Sequence, residues 1–439
     1  MNPTTETQPR TPLRQWQWRW RNLMSQIWPR VTLYALASGA VALLGVFAGP
    51  LLPAIDALSF DASSVDAKLS ILASSMLAVS TFSLGVMTSA FASASSAATP
   101  RVTQLLLADK TSQSVLATFL GAFVFSLVGI ITLEFGIYGP QGRLILFVAT
   151  IIVYLIIVAT FVRWIQMLRT FGRLGDAIAR VEEVAIEAFD ERIHSPFLGC
   201  QPLHDRHPIP HTAIPLPAGS AAYITHIDFP ALENAAAEKG ARLFLPAAPG
   251  RFVFPAEPIA WIDPGPSEAD DDFLHRIRQA FSLGDSRTFH QDPRFGMIVL
   301  SEIASRALSP AVNDPGTAII ILTHGVRILS RWQDRAEPEI LYPHLWLETL
   351  SVGDLFDDFF RPIARDGAAI VEVQQWLQHA FIGLTEAQPA TFSAACRRHS
   401  AEALARAEIA LPLDIEKSLI RQLAARLQTL ATKPRPAPL

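Results

Sequence analysis

Two cysteines in 439 residues, Cys200 and Cys396, leave no disulfide framework and suit a reducing compartment. Charge is sparse as well. Only 17% of the residues are charged, the formal net charge is −4, and no Lys/Arg stripe is concentrated in the second half, so no general attraction to nucleic acid is implied and none is expected as a partner. The chain has no Gly-rich phosphate loop, no H-E-x-x-H, no nucleophile elbow and no paired-cysteine metal site. The expectation is therefore a protein that is not an enzyme and holds no cofactor and no metal. A secretory signal is not expected either, because about 30 polar, Trp- and Arg-rich residues precede the first apolar run.

Apolar residues are what the sequence has in abundance. They make up 50% of the chain, and the mean hydropathy is +0.28. The excess lies before Met167, and the remainder has an ordinary globular balance. A membrane block followed by a soluble block is the implied order. Residues 1–30 form a basic segment in which Arg10, Arg14, Arg19, Arg21 and Arg30 alternate with Trp16, Trp18, Trp20 and Trp28, as interfacial anchors do on an anionic leaflet. Residues 31–170 then hold four apolar runs: 31–52, a long one from Lys68 to Arg101, 114–137 and 144–167. Asp56, Asp61 and Asp66 follow the first run, whereas Arg101, Lys110, Arg163, Arg169 and Arg173 lie at the other ends, so four spans with both termini in the cytoplasm are expected.

The second run is the one to watch. About 30 helical residues would reach about 45–50 Å, against a hydrocarbon core of about 30 Å. Ser70, Ser74, Thr81 and Thr88 fall near one face by the helical period, with Gly85 and Ser89 close by. Two readings are open: close helix packing through small residues, or the wall of a hydrated passage. Glu134 lies near the outer end of the third run, within reach of headgroup water.

After the fourth run, Leu174, Ile178, Val181, Ala185 and Phe189 continue an apolar stripe, which predicts a stalk prolonging the fourth helix. Residues 171–219 read as this stalk followed by a Pro/His linker. In the linker, Cys200, His204, His207 and His211 have spacings a metal could use, but a polar linker with incidental histidines is the favoured reading, since Pro208 and Pro210 would stiffen such a site awkwardly. Residues 220–265 form the one β-rich segment, expected as a small barrel or sandwich-like module. Residues 266–432 are predicted helical, and 433–439 a disordered tail. The fold class expected is thus mainly α: a four-helix transmembrane block (N-in, C-in), then a cytoplasmic α+β block with a helical domain.

The best polar cluster is His290, Asp292, Arg294, Ser309, Asn313, Asp314 and Thr317. Read as a site, it offers a cation, two carboxylates and a helix N-terminus that could hold a small anion. Read as structure, Asp292 and Asp314 cap helices that begin at Pro293 and Pro315, and Arg294 pairs with a carboxylate.

The four apolar runs, Pro100-Arg101, the Pro249-Gly250-x-Phe252-Val253 turn, Gln291-Asp292-Pro293-x-Phe295-Gly296, and Ala307-Leu308-Ser309-Pro310-Ala311-Val312-Asn313-Asp314-Pro315-x-Thr317-Ala318 together resemble the bacterial predicted membrane proteins catalogued as domain of unknown function 2254. The likeness covers almost the whole chain, and it implies a multi-pass protein of the bacterial inner membrane without implying an activity. On the residues, the leading expectation is a homo-oligomeric ion channel or similar conduit, with the lipid bilayer, further copies of the chain and a small ion as partners. The second helix would line it and the cytoplasmic block would regulate it. The alternative is a membrane-anchored sensor or scaffold whose soluble part binds a ligand or protein.

Overall fold

The computed structural model describes residues 62–430 apart from 108, 138–139, 170, 205–207, 264–270 and 334–338, together with helical positions 29, 31–33, 35–37 and 39–40. The chain forms two compact units that divide at residue 177. Three described helices are long and apolar enough to cross a membrane, over Val65–Ala97, Lys110–Glu134 and Gln141–Leu168. The expected first span, 31–52, lies outside the described residues except for the helical positions given above. So do almost all of segment 1–30, Asp56 and Asp61, His207, and the tail 433–439.

The first unit is built on α1 (Ala62–Ala97), whose 36 residues extend about 54 Å. A break at Ala98 and Thr99 ends it, and Pro100 opens the short α2 (Pro100–Leu107), where its missing N–H costs nothing. Asp109 caps α3 (Lys110–Glu134) by accepting from the Ser112 amide at 2.8 Å. The chain returns through α4 (Pro140–Leu168). Leu69 of α1 and Leu146 of α4 both approach Gly129 of α3, while Phe82, Phe119 and Phe161 surround Trp164, so α1 and α4 run the same way and α3 opposes them. Val65, Leu69, Leu72 and Met76 bury against Val115, Phe119 and Phe125, which fixes one face of α1 and leaves the other open.

The expected continuous stalk is interrupted. Helix α4 stops at Leu168, and α5 (Leu174–His194) starts afresh after a turn. Gly172 makes the turn with φ +79°, pressed so closely on Ala90 that a Cβ would lie 3.0 Å from that residue's backbone. No other residue fits both demands.

In the second unit the apolar face of α5 finds its partner within the same chain. Ala185 lies against Gly296, Phe189 meets Trp332 at 6.0 Å, and Glu182 and Asp190 pair with Arg327 and Arg331. The β-rich part is not a closed barrel or sandwich. Strands β1 (Cys200–Leu203), β2 (Ile214–Pro217), β4 (Arg242–Leu245), β6 (Pro258–Asp263) and β8 (Tyr342–Glu348) form one open mixed sheet in the order β1-β8-β4-β6-β2. A second open sheet, β5-β3-β7, joins Phe252–Val253, Ala222–Ile227 and Phe281–Gly284, antiparallel throughout. Helices α6 (Phe229–Lys239) and α7 (Asp271–Gln279) add Phe229, Leu232, Phe273 and Ile277 to the core that these strands build with Leu243, Ile262, Leu345 and Leu347.

Strands β7 and β8 correct the all-helical expectation for 266–432; β7 joins the three-stranded sheet beside β3, and β8 joins the five-stranded one. Strand β8 pairs in parallel with both β1 and β4, so its neighbours lie far away in sequence. The rest of the unit is helical: α8 (Pro293–Ala307), α9 (Pro315–Leu329), α10 (Val352–Asp366), α11 (Val371–Ala387), α12 (Pro389–Ala410) and α13 (Asp414–Leu430). Phe356, Phe359, Phe360, Phe381 and Phe392 are wholly buried at their centre, with ring centroids 4.8–6.4 Å apart in the contacting pairs.

Candidate functional site

The seven polar residues singled out in the sequence do not converge. They divide between the two ends of α8, whose 15 residues separate them by about 22 Å. At its start, Asp292 caps the helix through the Phe295 amide at 3.2 Å and takes both Nε and Nη2 of Arg287, at 2.8 and 2.9 Å. This carboxylate is 2% exposed. Its burial outweighs the facing guanidinium and pushes its pKa above the usual carboxylate value. Gly250, with φ +92°, lies directly on the carboxylate, where a side chain would overlap it. Gln291, with φ +59°, accepts from the Ile227 amide at 3.2 Å. His290 stacks on buried His226 at 5.7 Å and an interplanar angle of 14°. The Pro-Gly turn and the Gln-Asp-Pro motif, whose Gly250 and Asp292 are 42 positions apart, are therefore two halves of one tightly packed joint between the three-stranded sheet and α8.

Arg294 points elsewhere. It bridges Asp354 and Asp358 of α10, both at 2.6 Å, and these carboxylates raise its pKa despite partial burial.

At the far end of α8, Ser309 donates to the Arg306 carbonyl at 2.7 Å, and the Asn313 amide donates back to the Ser309 carbonyl at 2.8 Å. Asn313 is exposed with φ +50°. Asp314 caps α9 by accepting from both the amide and the hydroxyl of Thr317, at 3.0 and 2.6 Å. The hydroxyl bond is the larger cause holding the Asp314 carboxyl below its usual value. Ser309 and Asp314 thus spend their hydrogen bonds on a loop and two helix ends, while the Asn313 side chain stays exposed.

Two groups were not legible as a site in the sequence. Arg192 is buried and donates to the Glu348 carbonyl at 2.8 Å, and burial lowers its pKa to about 10. Asp357 gathers Arg361, Arg398 and the buried ring of His399, from helices α10 and α12. A signal for the second existed in the run of carboxylates at 354, 357 and 358, but its partners are set only by packing. Cys200 is a buried residue of β1 rather than part of a linker, and burial raises the pKa of its thiol, as it does that of Cys396 (to about 12). Both stay protonated near neutral pH. No cluster of three metal-ligating side chains occurs among the described residues.

The remaining candidates lie on α1. Ser70, Ser74, Thr81 and Thr88 all sit on its exposed side. Ser74 donates to the Ser70 carbonyl at 3.0 Å, Thr81 to Leu77 at 2.9 Å and Thr88 to Leu84 at 2.9 Å. With the protons of Ser74, Thr81 and Thr88 so committed, the outward side of these three oxygens offers lone pairs alone. By the helical period Leu77 and Leu84, both exposed, stand between these hydroxyls on the same face.

Comparison with known proteins agrees with the spans. The family model described as "Predicted membrane protein (DUF2254)" matches residues 24–382. Uncharacterized proteins of Mycobacterium bovis and Mycobacterium tuberculosis are each 28% identical over 315 residues, covering 69% of this chain and 59% of theirs. The matched region thus spans less than two thirds of the length of those relatives. No solved structure matches the chain.

Proposed function

This chain belongs to the DUF2254 family of predicted membrane proteins, and from that premise we propose that it is a homo-oligomeric conduit for small cations, lined by α1 and regulated by the unit that follows residue 177. The observation that carries this reading is the open face of α1. It is longer than a bilayer's hydrocarbon is thick, and its exposed hydroxyls present lone pairs, which suit a cation shedding part of its water. Leu77 and Leu84 between them supply apolar rungs of the kind that close a passage by dewetting. One such face cannot enclose water, so several copies are required.

Arg101, Lys110, Arg163, Arg169 and Arg173 lie at one end of the spans and Asp66 and Glu134, with Lys68 and Arg143, at the other. That bias favours the bacterial inner membrane with the arginine-rich end in the cytoplasm.

The test is potassium flux from liposomes holding the purified protein, with Ser74→Leu and Thr81→Leu beside it. Flux that falls in both variants while oligomer size and folding persist supports the conduit. A stable oligomer silent under voltage, pH and tension gradients overturns it and leaves the membrane-anchored sensor or scaffold as the reading to pursue.

A further inference from the structure

The turn that interrupts the stalk also shapes a cavity. Phe171 is buried and packs edge-on against Phe91 at 5.8 Å, and Gly172 is seated on Ala90, so the turn is locked onto the C-terminal half of α1. Beside it lies a cavity of about 490 Å³ lined by Ser89 and Ser93 of α1 and by Arg173, with Val86, Phe171 and Leu174 forming its apolar side. This volume is ample for a small organic group and large for inorganic phosphate.

We propose that this cavity binds the phosphate ester of an anionic membrane lipid. Three observations converge on it. No Asp or Glu lines the cavity, and Arg173 forms no ion pair among the described residues, so the cation at its edge lacks a counter-charge. Ser89 and Ser93 make no side-chain hydrogen bond among the described residues, whereas Thr88 and Ser96 of the same stretch donate to their own helix. Two hydroxyl donors and a guanidinium thus face one space, which is the donor set a phosphodiester requires. The third observation is position. The cavity lies where α1 and α4 reach their arginine-rich end, at the level of headgroups if the spans cross as their length demands, and its apolar side suits glycerol and the first methylenes. The site stands whether or not the chain conducts ions.

The test is native mass spectrometry of the full chain in neutral detergent, offered equal amounts of phosphatidylglycerol and phosphatidylcholine. The wild type should retain the anionic lipid at least about tenfold over the zwitterionic one. Arg173→Ala, at an exposed side chain, should abolish the preference, as should Ser93→Leu, which fills the cavity. Arg173→Lys should restore part of it. Arg163→Ala removes an equal charge outside the cavity and should leave the preference intact. Equal loss in Arg163→Ala would mean general surface charge and overturn the proposal. Retention in both Arg173→Ala and Ser93→Leu would place the lipid elsewhere. Displacement of the lipid by millimolar inorganic phosphate or glycerol phosphate would assign the cavity to a soluble anion instead. Should Ser93→Leu lower the thermal midpoint, the Arg173 pair of variants decides the matter alone.

Discussion

Gly250→Ala is the sharpest test of the joint between the Pro-Gly turn and the Asp292 cap. An alanine there meets two costs. The left-handed backbone, φ +92°, costs a side-chain-bearing residue about 1–2 kcal/mol. The new methyl then overlaps the Asp292 carboxylate, with Oδ1 at 2.7 Å and Oδ2 and Cγ nearer still. The carboxylate cannot swing aside freely, because Arg287 holds both its oxygens and the Phe295 amide takes one of them. Moving it gives up a helix cap, about 0.5–2 kcal/mol, and strains a buried ion pair whose full rupture costs about 3–5 kcal/mol. With partial relaxation the total is about 4 kcal/mol. Gly240→Ala is the matched control, since Gly240 has φ +61° and open space around it, so only the backbone cost applies. Pulse proteolysis of the full chain in mild detergent across a urea series reads the difference. With a denaturant slope of about 2–3 kcal/mol per molar, Gly250→Ala should lower the midpoint by about 1.3–2 M and Gly240→Ala by about a quarter to a half of that. Equal midpoints for the two variants would refute the contact between turn and carboxylate.

Two further outcomes follow from the same packing. Thr317→Val removes the hydroxyl that chiefly holds the Asp314 carboxyl below its ordinary pKa. A carboxyl lowered in the fold stabilises it above the unfolded pKa and loses that contribution as pH falls through the folded value. The wild type should therefore lose stability on acidification below about pH 4 at this cap, and the variant, measured by the same proteolysis at stepped pH, should show a smaller decline. An undiminished decline would remove Thr317 as the cause. Gly325→Ala should cost about 1–3 kcal/mol, because its methyl enters the ring of wholly buried Phe359, with Cε2 at 2.9 Å. Combining it with Phe359→Leu should recover part of the loss, and strict additivity of the two would contradict the contact.

Local signals in the chain were strong where the physics is local. The apolar runs beyond Lys68 announce spans because 20 or so uncharged residues have no better solvent than lipid. Asp292-Pro293 and Asp314-Pro315 announce helix starts because cap and proline act within one turn. The hydroxyl stripe of α1 needed only the 3.6 period to be seen. The misread parts depend on partners distant in sequence. Strand β8 has no local signal within a domain expected to be helical, because its parallel neighbours begin at Cys200 and Arg242, 142 and 100 residues before Tyr342. The barrel expected at 220–265 opened for the same reason: its strands pair with segments before and after them. The stalk looked continuous because apolar periodicity persists across Gly172, and only the approach of Ala90 shows why the helix must break there.

What the sequence determined by itself is the membrane character of the first unit, the alignment of hydroxyls along one face of α1 and the capped ends of α8 and α9; that this face is exposed was decided by packing. Tertiary structure alone decided that the seven polar residues of the motif stand at opposite ends of α8, that Gly250 closes on Asp292, and that Arg173 shares a cavity with Ser89 and Ser93. Caps and periodicities are enforced within a few residues, whereas a carboxylate's partner and a cavity's lining are chosen by which distant elements pack side by side.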